Sequence, residues 1–191
     1  ADHMLVAAPD SISDVALATI PDNVVDAYRS VADGLRERPG SEVLIVGGDA
    51  PSITLYAVLC ARALGAGRIR YADSDPVRLA AASDLGADVI DLGGQYPRRL
   101  DRAPIVVAGS LQSEGLDCAI RSTQAYGRLT IVTIHFAPQT PLPLLEMYTR
   151  GITVHTSRAD SRRYLNEVLD LVAAGRIDPL AVPTTEIAWE T

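Results

Sequence analysis

Residues 43–54 read Val43-Leu44-Ile45-Val46-Gly47-Gly48-Asp49-Ala50-Pro51-Ser52-Ile53-Thr54. The first four are apolar without alternation, which suits a strand buried on both faces. Two glycines then mark a tight turn. Ile53 to Leu64 comes next as a mostly apolar helix stopped by Gly65. Strand, glycine turn and helix in this order are the opening unit of a parallel α/β sheet.

The same rhythm continues downstream. Strands are expected at 68–72, 88–90, 105–108, 129–134 and 152–154. Helices are expected at 76–85, 113–126, 142–150 and 160–174. Most of these helices stop at a glycine, and Pro76 suits a helix first turn. Short apolar strands alternating with helices define right-handed βαβ units. The expected fold class is α/β: a doubly wound, three-layered parallel sheet of Rossmann type, with six strands in the order 3-2-1-4-5-6.

Upstream, residues 4–8 read as a short strand and 22–32 as a helix that Asp22 caps. A last strand is expected at 183–189. The chain divides on this reading into a lead-in segment at 1–40, the dinucleotide-type domain at 41–175 and a closing segment at 176–191.

Composition narrows the chemistry. All 17 basic residues among the 191 are arginine, and 24 acidic residues leave a net charge of −7. Without lysine there is no Schiff base, no phosphate-loop lysine and no Tyr-x-x-x-Lys pair of the short-chain dehydrogenases. The acidic balance argues against nucleic acid as partner. No apolar run reaches membrane-spanning length, and a signal-peptide pattern is lacking. Cys60 and Cys118 form no Cys-x-x-Cys pair, so a reducing cytoplasm is the expected setting. Both cysteines are expected in or near the core.

Ligands of such sheets bind beyond the strand ends where strand order reverses. That places the turn at Gly47–Thr54 at the expected site. The Gly-x-Gly-x-x-Gly fingerprint is incomplete: Asp49 stands in the place of a second glycine, and Thr54 where a third is often found. Backbone N–H groups at the helix start still favour an anion. Asp73 ends the second strand, 25 residues after Gly48. That is near the spacing of the acid that bonds ribose hydroxyls, and its charge favours NAD over NADP. Asp75 is the better helix cap, which leaves Asp73 free for a ligand. His135 and His155 fall at the ligand-facing edge. The residues alone supply no acid, base or nucleophile set.

The run Gly47 to Asp91 resembles the nucleotide-binding domain of zinc-dependent alcohol dehydrogenases, in the medium-chain dehydrogenase/reductase superfamily. Gly151-Ile152-Thr153-Val154-His155-Thr156 and the segment Glu167 to Pro179 fit the same resemblance. It implies hydride transfer between an alcohol and NAD, with zinc held in a catalytic domain that this chain does not contain. It also implies cofactor contacts at Gly47, Gly48, Ala50, Pro51, Ser52, Ile53 and Thr54. Further contacts fall at Asp73, at Ala108 and Gly109, and at Thr133, Ile134 and His135 beside the nicotinamide. Asp22 matches a metal-ligand position, though one carboxylate cannot hold catalytic zinc alone. Pairing of two copies through the edge 151–156 is a further implication. Two other readings stay open: a non-catalytic Rossmann-like module with a degraded cofactor loop, serving in regulation or assembly, and an S-adenosylmethionine-dependent methyltransferase.

Overall fold

The computed structural model describes residues 5–187. Its first helix, α1 (Asp14–Thr19), starts at a Ser13 cap whose hydroxyl accepts from the Ala16 N–H at 3.3 Å. The helix expected to begin at Asp22 is therefore longer, and Asp22 does not cap it. Pro21 explains the break in the pattern. It has no N–H, so a regular α ladder cannot run through it. The chain widens into a π-helical turn at Ile20–Val24, where the Val25 N–H reaches back to the Ile20 carbonyl. Helix α2 (Val25–Glu37) then continues, with Val25, Ala27, Val31 and Ala32 fully buried.

The next elements are β1 (Glu42–Val46), α3 (Pro51–Ala63), β2 (Arg68–Asp73), α4 (Pro76–Asp84) and β3 (Asp88–Asp91). After them come β4 (Ala103–Ala108), α5 (Ser113–Arg121), β5 (Thr123–Ile131), α6 (Leu144–Arg150), β6 (Thr153–Thr156) and α7 (Ser161–Ala173). The six strands form one parallel sheet in the order β3-β2-β1-β4-β5-β6, as the alternation predicts. Val43, Leu44, Ile45 and Val46 are fully buried, which their unbroken apolar run requires. Val46 lies between Ala72 and Ala108, so the ends of the three central strands are level.

Two cores flank the sheet. The larger joins α2, α3 and α7 to one face and includes Val24, Val58, Ile105 and Val168. The smaller packs Leu116 and Ile120 of α5 on the other face, against Leu44, Val106 and Leu129. The lead-in helices thus share the sheet's own core. Cys60 and Cys118 are buried thiols.

Three expectations need correction. Helix α5 stops at Arg121, not Tyr126, and β5 begins at Thr123. Ser122 and Thr123 turn their hydroxyls back to the Cys118 and Ala119 carbonyls at 2.7 and 3.0 Å. Arg150 covers the Ile120, Arg121 and Thr123 carbonyls. The carbonyls that a longer helix would use are thereby taken. Residues 5–8 form no strand, and Met4 lies outside the described residues. Residues 183–187 form none either, with 188 and 189 outside the described part. Among the described residues, no helix is long and apolar enough to cross a membrane.

Candidate functional site

The sheet order reverses between β1 and β4, and the loops after these strands run side by side. The Gly109 N–H donates to the Val46 carbonyl at 2.8 Å, and the Ala50 N–H to the Gly109 carbonyl at 3.0 Å. Each glycine of the pair after β1 has its own reason. A Cβ on Gly47 would lie 2.2 Å from the Asp73 Oδ2 atom. Gly48 has φ of +137°, a conformation closed to ordinary residues. Above it sits Tyr96, whose hydroxyl donates to the Gly47 carbonyl at 3.1 Å.

The two departures from the fingerprint have structural answers. Asp49 turns its carboxylate to the loop after β4, where it accepts from the Leu111 N–H at 2.6 Å and the Ser110 hydroxyl at 3.4 Å. Thr54 is fully buried, and its methyl lies 2.4 Å from where a Cβ on Gly109 would stand. The close approach that a third glycine in the helix would allow is supplied from the facing loop by Gly109. The start of α3 has no side-chain cap. Pro51 has no N–H and the Ala50 N–H is bonded to Gly109, so the Ser52 and Ile53 N–H groups are the ones that helical bonding leaves for an anion.

Asp73 is not free. Arg78 grips it with two bonds, Nε to Oδ2 at 2.9 Å and Nη2 to Oδ1 at 2.7 Å. The Tyr71 hydroxyl donates at 3.1 Å, and the Ser74 and Asp75 N–H groups donate at 2.7 and 3.0 Å. Burial alone would push this carboxyl up. The bonds from Arg78 and the two backbone N–H groups outweigh it and hold the carboxyl below its ordinary value. Asp75 caps α4 as expected, accepting from Val77 and Arg78. Gly48, Asp49, Asp73, Arg78 and Tyr96 line a cavity of about 210 Å³.

A second cavity, of about 570 Å³, opens on the other side of α3, between the π turn, the loop after β5 and the loop after β6. Ile53, Thr133, Ile134, His135, Asp22 and Asp26 are among its walls. Thr133 donates its hydroxyl to the Ser110 carbonyl at 3.3 Å and stands 3.2 Å from the His135 Nε2 atom. Asp26 is 7% exposed and ion-paired to Arg29, whose Nη2 donates to the Ser157 carbonyl at 2.9 Å. Burial pushes the Asp26 carboxyl up, against the pull of Arg29. Among the described residues, no three His, Cys, Asp or Glu groups come together as a metal site. Asp22 therefore has no partners here, and these residues do not fit a zinc ion.

The structure brings the expected loop, Asp73, Ala108–Gly109 and Thr133–His135 to the carboxyl ends of the strands. It adds four residues that sequence reasoning missed: Arg78, Tyr96, Asp26 and Arg29. Arg78 carried a signal, since it stands in the first turn of the helix just after the acid. Tyr96 carried none, because it reaches the glycine turn from an irregular loop. The uncapped α3 start, with a cavity at each end of it, fits an elongated ligand with an anionic middle, such as a dinucleotide.

Fold and cleft together define a Rossmann-type dinucleotide domain. No family model matches the chain. It is 26% identical over 185 residues to an alcohol dehydrogenase of Geobacillus stearothermophilus, covering 94% of this chain and 53% of that protein. It is 30% identical over 155 residues to L-idonate 5-dehydrogenase of Vitis vinifera, covering 73% and 40% respectively. Among solved structures, alcohol dehydrogenase TADH from Thermus sp. ATN1 superposes with a TM-score of 0.76 at 26% identity, over 91% of this chain and 52% of that one. The acetophenone reductase of Geotrichum candidum, solved in complex with NAD, shares the fold with a TM-score of 0.75 at 22% identity, over 91% and 50%. The chain is homologous to the zinc-type alcohol dehydrogenases of the medium-chain dehydrogenase/reductase superfamily and corresponds to their nucleotide-binding half. It spans from 34% to 53% of the length of the curated relatives it matches.

Proposed function

We propose that this chain is the dinucleotide-binding part of an alcohol dehydrogenase-like oxidoreductase of the cytoplasm that uses NAD. The observation that carries the reading is the uncapped start of α3 between two cavities. On this reading the pyrophosphate lies on the α3 N–H groups beside Gly47 and Gly48. The adenosine ribose meets Asp73 and Arg78, and the nicotinamide enters the larger cavity beside Thr133, Ile134 and His135. Bound NAD supplies the hydride acceptor for an alcohol, or as NADH the donor to a carbonyl. The residues of this chain bind and orient it; substrate and zinc contacts belong to residues outside this chain. Two copies pair through the exposed edge at 151–156.

Titration calorimetry with NAD and NADP tests the reading. Tighter binding of NAD means that Asp73 faces the ribose hydroxyls, whereas tighter binding of NADP means that Arg78, paired to Asp73, takes the 2′-phosphate. Absence of binding by either at millimolar concentration overturns it. Asp49, Thr54 and the Tyr96 hydroxyl over Gly48 favour a second reading, a non-catalytic module that keeps the fold without the cofactor. In that case glycine at both 49 and 54 creates binding that the native chain lacks.

A further inference from the structure

The opposite ends of the strands carry a different chemistry. The loop before β4 holds Arg98, Arg99 and Arg102, at the end of the strand away from Gly109. Its backbone is pinned, with the Leu100 N–H on the Ser122 hydroxyl at 2.8 Å and the Arg70 Nη2 on the Asp101 carbonyl at 2.8 Å. Arg98, Arg99, Arg102 and Arg121 meet Glu146 around a cavity of about 290 Å³. Arg98 and Arg99 also form a wall of a neighbouring cavity of about 550 Å³.

Counter-charge is short there. Glu146 is shared among Arg98 at 3.5 Å, Arg150 at 3.7 Å and Arg121, and Asp101 is the acid on the wall of the neighbouring cavity. Asp117 pairs with Arg121 at 2.6 Å. Arg150 and Arg102 are turned to carbonyls at the end of α5, which accounts for part of their charge. Arg98, with a side chain 80% exposed and only a share of Glu146, and Arg99, with no ion pair among the described residues, supply the excess. An excess of positive charge held on a fixed backbone, in a chain of net −7, focuses the field on small anions.

We infer that the cavity framed by Arg98, Arg99, Arg102 and Arg121 is a binding site for a small oligophosphate, separate from the cofactor edge. Guanidinium forks suit phosphate oxygens, and several converging forks select a chain of phosphates over a single carboxylate.

Calorimetric titration with inorganic tripolyphosphate at low salt, with and without NAD, tests this. One saturable site is expected, unaffected by NAD and by Arg78→Gln, and weakened as salt rises. The double variant Arg99→Gln/Arg102→Gln is expected to lower affinity about tenfold or more. Both side chains are exposed, so the variant should keep the fold, which circular dichroism checks. No saturable binding at millimolar tripolyphosphate overturns the inference. So does binding that Arg78→Gln removes and the double variant does not, since that heat belongs to the cofactor edge. The result is independent of whether NAD binds.

Discussion

Gly47 has no room for a side chain, because the Asp73 carboxylate occupies the space and is itself held by five bonds. Gly47→Ala is expected to destabilise the chain by about 1–3 kcal/mol, an overpacking penalty that denaturant unfolding measures. Asp73 also sets an acid limit. Its native carboxyl is held below the ordinary aspartate value of 3.8. Its contribution is therefore complete above that value and is lost as pH falls through the native one. Asp73→Asn should flatten the decline of stability below about pH 4, measured by unfolding across a pH series. The acid at 73 was legible from its place at the end of β2. Its saturation was not, because Tyr71, Arg78 and two backbone groups meet it only when the turn closes.

Helix α3 and the loop after β4 meet at one size-matched pair, Thr54 against Gly109. Gly109→Ala should cost more than Thr54→Ala, and the double variant less than the sum of the two. The coupling expected from a thermodynamic cycle is on the order of 1 kcal/mol. This pairing shows why the incomplete fingerprint at 47–54 concealed little about the fold. The motif states which helix residue is small, whereas packing requires only that one of two facing residues be small. Element boundaries were less legible. Helix α5 ends where it does because Arg150, 29 residues beyond Arg121, takes its carbonyls. No local pattern around Tyr126 could carry that information. Continuous apolar runs such as 43–46 and 105–108, by contrast, were read directly, since full burial leaves no alternation to interpret.

For the whole molecule, the sheet has one edge at β6, where Thr153, His155 and Thr156 are exposed. Nearby Leu145 and Tyr148 of α6 are 75% and 85% exposed. An unpaired edge beside apolar side chains invites a second copy. Light scattering after size exclusion should report a dimer at micromolar concentration. Thr153→Lys/His155→Lys should shift it to monomer without loss of melting temperature in the separated monomer. The sheet order that sets this edge was legible from the alternation of elements. The cavity of four arginines was not, because its members come from a loop and the end of α5.

The widened turn at Ile20–Val24 has one more consequence. One residue of surplus in a helix rotates the turns before it by about 100° relative to the turns after it. The turn thus works as an angular spacer, setting where Asp22 and α1 face while α2 stays bedded in the core. Removing Asn23 together with Pro21→Ala would erase the spacer and turn Asp22 away from the larger cavity. The orientation of that wall is therefore stored in the backbone, as a surplus residue beside Pro21.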